Sequence, residues 1–156
     1  AVRELFLSRV RAVVGAWEFA EQDPLVDQAR ALLEDREGEF LAASEAMAAA
    51  VGQRSLARVR GLCEAWAYSR QEPQYQAGAE LCAREGPTYD AAVAAIQQAT
   101  AHRDVAGLRQ AAQAWAFDPE DPVARAARAF CEDQGPGYDA QARALARAHA
   151  DWHVPE

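Results

Sequence analysis

Three tryptophans stand at equal intervals along this chain: Trp17, Trp66 and Trp115 are separated by 49 residues and again by 49. Each follows an alanine and precedes an aromatic by two positions: Ala16-Trp17-Glu18-Phe19, Ala65-Trp66-Ala67-Tyr68 and Ala114-Trp115-Ala116-Phe117. An acid–proline step recurs in the same register, at Asp23-Pro24, Glu72-Pro73 and Asp121-Pro122. Further on, Gly86-Pro87-Thr88-Tyr89-Asp90-Ala91 matches Gly135-Pro136-Gly137-Tyr138-Asp139-Ala140, and the first copy has Glu37-Gly38-Glu39-Phe40-Leu41-Ala42 there. Residues 50–98 and 99–147 share 16 identities in 49 ungapped positions. A bias toward alanine accounts for some of them, but not for matched Trp, Pro, Gly-Pro and Cys. A period of ~20–50 residues marks stacked units, none of which can bury its apolar face alone.

Each unit reads as three helices. In the middle copy, helix A opens at Ser55, a residue suited to N-capping, and places Leu56, Val59, Leu62, Cys63 and Trp66 at helical spacing. Helix B opens at Pro73, since the first helical position has no use for the missing N–H, and the preceding acid can cap it. Gly86-Pro87 then reads as a stop, because glycine takes the left-handed cap conformation and proline cannot continue the helix. Helix C carries Tyr89, Ala92, Val93 and Ile96. The expectation is an all-α chain: three tandem three-helix repeats, approximately 1–49, 50–98 and 99–147, with a tail over 148–156. They would stack as one short right-handed α-solenoid domain over 1–156, of about nine helices. The alternative is a compact helical bundle with internal repeats.

In general logic the unit resembles tetratricopeptide, HEAT and armadillo repeats. The period exceeds the ~34 residues of a tetratricopeptide unit, and that family's Trp-Leu-Gly-Tyr pattern is absent. Three helices per unit is armadillo-like in architecture alone. The resemblance therefore implies a helical-repeat fold and carries no site residues with it.

Composition narrows the function. Hydrophobic residues make up 51%, which argues against disorder, but 39 of them are alanine, so the core leans on a few large side chains. All 16 cations are arginine; lysine and asparagine are absent and Ile96 is the only isoleucine, the pattern of a GC-rich genome. The net charge of −8 disfavours nucleic acid, which calls for many phosphate contacts, and an anionic membrane surface. No apolar run approaches the ~20 residues of a membrane span. Three cysteines without a CxxC fit buried thiols in a reducing, intracellular or organelle compartment better than a disulfide framework. The chain opens in a helical pattern without an initiator Met, as a processed or excerpted piece would, and shows no targeting signal.

Candidate sites follow from the same register. The Trp–aromatic pairs read as glue between units. Cys82 and Cys131 are equivalent, with Leu33 in the first copy, which marks a packing position. His149 and His153, spaced i,i+4, are weak metal candidates, since two ligands are too few for a structural zinc site. There is no phosphate loop and no catalytic constellation, so the chain reads as no enzyme, with no cofactor. Arg11, Arg60 and Arg109 recur six residues before each Trp and would form a ladder, with Glu34, Asp35, Glu85, Glu132 and Asp133 as expected ion-pair partners. Leu5, Phe6 and Trp152 give the ends an unfinished apolar character. The functional expectation is a non-catalytic scaffold or protein-interaction module in a larger assembly, docking its protein partners end-on. The alternative is a helical small-molecule or pigment-binding protein.

Overall fold

The computed structural model describes residues 6–19 and 21–152. Among them are six helices and no strand: α1 (Leu7–Gly15), α2 (Pro24–Gly52), α3 (Leu56–Glu64), α4 (Pro73–Ala101), α5 (Val105–Gln113) and α6 (Pro122–Trp152). The short helices begin at Leu7, Leu56 and Val105 and the long ones at Pro24, Pro73 and Pro122, each 49 residues after its counterpart.

Each copy therefore contributes two helices and not three, which corrects the expectation of nine. The long helices run 29, 29 and 31 residues, with Pro87 inside α4 and Pro136 inside α6. A proline inside a helix removes one donor and crowds the carbonyl four residues back. Pro87 and Pro136 are exposed, as are Ala83 and Glu132 four residues earlier, so water has access to those carbonyls. No described glycine adopts positive φ, so Gly86 and Gly135 do not cap. The helices end instead at Arg54 and Arg103, both with φ of 53°. Around the first of these, Ser55 N–H donates to the Ala50 carbonyl at 2.9 Å and Arg54 N–H to that of Val51 at 3.0 Å. Around the second, Asp104 N–H donates to Ala99 at 2.8 Å and Arg103 N–H to Thr100 at 3.1 Å. This is the paired-bond ending usually built on glycine, and here arginine takes the left-handed position.

The starts follow the sequence more closely. Pro24 sits in the first turn of α2 with the Asp23 carboxylate accepting from Leu25 N–H at 2.8 Å, and Asp121 accepts from Val123 N–H at 2.9 Å. Asp104 caps α5 through Gly107 N–H at 2.8 Å. Ser55, in contrast, is buried and makes no side-chain cap bond.

The chain divides into two compact units, Ala1–Gly86 and Pro87–Glu156. In the first, α1 and α3 each pack on α2. Its core holds Leu7, Leu33 and Phe40, with Val10, Val14, Trp66 and Tyr68 packed against them, and Met47, Leu56 and Val59 fully buried. In the second, α5 packs on α6, and Ile96, Ala99, Leu108 and Ala127 form the centre, flanked by Trp115, Phe130 and Cys131.

Candidate interaction surfaces

The Trp–aromatic pairs form one arrangement twice. In the first unit, Trp66 and Tyr68 meet edge-on at 5.5 Å and both stand edge-on to Phe40 of α2, at 6.4 and 5.1 Å. In the second, Trp115 and Phe117 meet at 5.5 Å and stand against Tyr89 of α4, at 5.7 and 5.3 Å. The indole N–H groups donate to the carbonyls of Ser69 and Asp118, at 3.1 and 2.9 Å. Each short helix thus delivers a Trp-x-aromatic clamp that grips an aromatic on the preceding long helix. Trp17 and Phe19 form the same edge-on pair at 5.3 Å, but Phe19 is 75% exposed.

A buried acid accompanies each clamp. Asp121 accepts from the Tyr89 hydroxyl at 2.8 Å. Glu72 occupies the equivalent place in the first unit, where its longer side chain reaches Ser8 N–H of α1 at 3.2 Å and its Oε2 is buried without a hydrogen bond. Phe40, the counterpart of Tyr89, has no hydroxyl to offer.

The arginine column is paired, although not with the acids that sequence position suggested. Arg11 meets Glu37 at 2.6 Å, and Arg109 binds both oxygens of Asp139, at 2.8 and 2.9 Å. Those carboxylates sit further along the long helix than Glu34 or Glu132. Here the Gly-Pro step finds its use: a Cβ at Gly135 would lie 2.5 Å from the Arg109 guanidinium, and one at Gly86 would lie 3.0 Å from that of Arg60. The glycines seat the arginine as it crosses the helix. The first copy has Glu37 at the glycine position and Leu41 at the Asp139 position, so the acid has moved back by one turn. The hydrogen bond from Arg109 holds the Asp139 carboxyl below its ordinary range. Glu85 is likewise lowered, chiefly by its hydrogen bond from Arg54.

The other candidates are placed as follows. Cys63, Cys82 and Cys131 are free and half-buried, and burial pushes the thiols of Cys63 and Cys82 up, away from nucleophilic reactivity. His149 is exposed on α6, and His153 and Leu5 lie outside the described residues, as does the side chain of Trp152. Among the described residues no group of three or more His, Cys, Asp or Glu could hold a metal ion, and no helix is long and apolar enough to cross a membrane. Phe6 is half-buried at the start of α1. A groove of about 590 Å³ lies in the second unit, lined by Ile96, Thr100, Pro122, Val123 and Phe130.

Residues that sequence reasoning passed over stand out once the copies are superimposed by register. Leu145 is 73% exposed and Tyr138 is 41% exposed on α6, and Val13 is 55% exposed on α1. Their counterparts in the other copies are buried or half-buried. The signal was available in the repeat itself, in apolar residues of the first and last copies that share a register with buried or half-buried ones in the middle copy. In comparison with known proteins, no family model, no curated protein and no solved structure matches the chain.

Proposed function

We propose that this chain is a non-catalytic scaffold or protein-interaction module, built of tandem 49-residue units stacked as a short α-solenoid and working within a larger assembly. The observation that supports this reading most is where the polar, chemistry-bearing side chains are engaged. Glu72 and Asp121 are buried at the helix starts, and Arg11 and Arg109 are tied to carboxylates of the neighbouring helix. Among the large exposed apolar side chains, Phe19 and Leu145 stand at register positions that repeat the internal contacts between copies, while Leu25 and Leu41 lie elsewhere on α2. Exposed aromatic and aliphatic side chains in a defined patch are what protein interfaces anchor on.

A second reading, binding of a small apolar molecule, has the groove beside Ile96 and Phe130 in its favour. The experiment that separates the two is native purification followed by mass spectrometry. A fixed stoichiometric set of partner proteins is expected, lost on Leu145→Arg. A chain that purifies alone with a metabolite or chromophore bound overturns the scaffold reading.

A further inference from the structure

Among the described residues, two partly exposed apolar faces repeat, position by position, the two halves of the molecule's own internal joint. Within each unit that joint is on view. On the long-helix side stand an aromatic and, seven residues later, an aliphatic: Phe40 and Met47 in the first unit, Tyr89 and Ile96 in the second. All four are 5% exposed or less. On the receiving side stand the short helix and its clamp. Val59 packs with Met47 around Gly78, and Leu108 packs with Ile96. Tyr68 closes on Phe40, and Phe117 closes on Tyr89.

Tyr138 and Leu145 repeat the long-helix half of the joint on α6, where Leu145 is largely exposed and Tyr138, 41% exposed, has the Arg109 guanidinium 6.0 Å from its ring centroid in place of an aromatic clamp. The short-helix half is repeated on α1, where Val10 and Val13 stand in for Val59 and Leu62, and Phe19 stands in for the closing aromatic. The polar component is present as well. Asp23 holds the pose of Asp121, each accepting an amide two residues ahead through Oδ1, and in the second unit the other carboxylate oxygen takes the tyrosine hydroxyl. Tyr138 retains the hydroxyl that Tyr89 uses for that bond.

We infer that the chain docks head-to-tail on a second copy of itself, the Tyr138–Leu145 face of one copy receiving α1, Phe19 and Asp23 of the next. This rests on the scaffold reading and names its first partner. The joint is heterologous, so an open pair keeps one head and one tail free, and assembly continues until it closes as a ring or runs on as a filament. Its core is apolar while each copy carries −8, so added salt, which screens the repulsion, strengthens the association.

The test uses two variants, Phe19→Arg, which blocks the head, and Leu145→Arg, which blocks the tail. Both positions are largely exposed in a single copy, so the helical signal is expected to match the wild type, as is the melting midpoint at concentrations low enough to keep the wild type monomeric. Sedimentation velocity across a concentration series should show wild-type mass rising past a dimer. Each variant alone should stay near 17.0 kDa, with association weakened by about tenfold or more. An equimolar mixture of the two variants should form a 1:1 pair and stop there, since only one sound head and one sound tail are available. Tyr138→Phe should weaken the wild-type association without abolishing it. A wild-type chain that remains monomeric overturns the inference, as do variants that associate like the wild type, or a mixture that stays monomeric while the wild type assembles. Leu145-dependent capture of other proteins by a monomeric wild type would sink self-docking and leave the scaffold reading standing.

Discussion

The joint in the first unit and the joint in the second share a register but not their side chains. The first sets Met47 against Gly78, and a Cβ at Gly78 would lie 2.7 Å from the Met47 sulfur and 3.2 Å from Val59. The second sets Ile96 beside Ala127, the counterpart of Gly78, with Leu108 in place of Val59. The long, unbranched Met47 reaches over a residue with no Cβ, whereas the shorter, branched Ile96 leaves room for the Ala127 methyl. The polar contacts are exchanged in the same way, with Phe40 and the longer Glu72 in one joint and Tyr89 and the shorter Asp121 in the other. Position in the repeat thus fixes which side chains meet, while their shape and the division of polar groups between partners differ from joint to joint. This is the behaviour of a close-packed interior that accepts compensating swaps and resists single ones.

Four changes test how far the two joints are equivalent. The largest effect belongs to Leu108→Ala, which should cost about 2–5 kcal/mol as a fully buried leucine. Leu145→Ala on the open face should stay within about 0.5 kcal/mol in the monomeric chain. Denaturant titration reads both, and equal losses would mean that the open face is not open. Next, Tyr89→Phe should cost roughly 1.5–3 kcal/mol by removing the hydroxyl from a buried carboxylate. Phe40→Tyr should stabilise by about 1 kcal/mol by giving Glu72 Oε2 a donor. A loss from both changes would show that the polar contacts are not interchangeable.

Gly78→Ala sets an overpacking cost of about 1–3 kcal/mol against a helix-propensity gain of about 1 kcal/mol, so a small net loss is expected. Made together with Met47→Ile, which copies the second joint, the change should become neutral or favourable. A double-mutant cycle with coupling below about 0.5 kcal/mol would refute this exchange of side-chain reach. The smallest effect is electrostatic. The Asp139 carboxyl is held low by Arg109, so its contribution is present above the ordinary aspartate range and is lost as pH falls through the depressed folded value. Asp139→Asn should flatten that part of the acid limb of a stability–pH profile. The second unit is the one affected, since Arg109 and Asp139 both lie in it.

The all-helical class, the 49-residue period and the helix starts at Pro24, Pro73 and Pro122 were legible, because caps and prolines act locally. The break at Gly86-Pro87 was misread for a physical reason. Glycine followed by proline is the local signature of an ending, and only the Arg60 guanidinium packed over Gly86 shows it to be a seat in a continuous helix. The true endings at Arg54 and Arg103 carry no compositional signal, since arginine is not an expected left-handed residue. Of the end-on docking candidates Leu5, Phe6 and Trp152, the structure describes the side chain of Phe6 alone, half-buried, and the exposed apolar side chains that repeat the internal joint are Phe19, Tyr138 and Leu145. Exposure there depends on whether another copy of the unit follows, which a single helix's pattern does not encode.

Pro87 stands at the sequence border between the two compact units, and it leaves α4 without one rung of its hydrogen-bond ladder at that point. A helix shared by two cooperative blocks would otherwise tie their melting together, because fraying on one side must propagate through intact rungs. The missing rung gives partial unfolding a place to stop. Hydrogen exchange under mild denaturant should step at this residue, with the amides of residues 74–86 opening with the first block and those of 88–101 with the second.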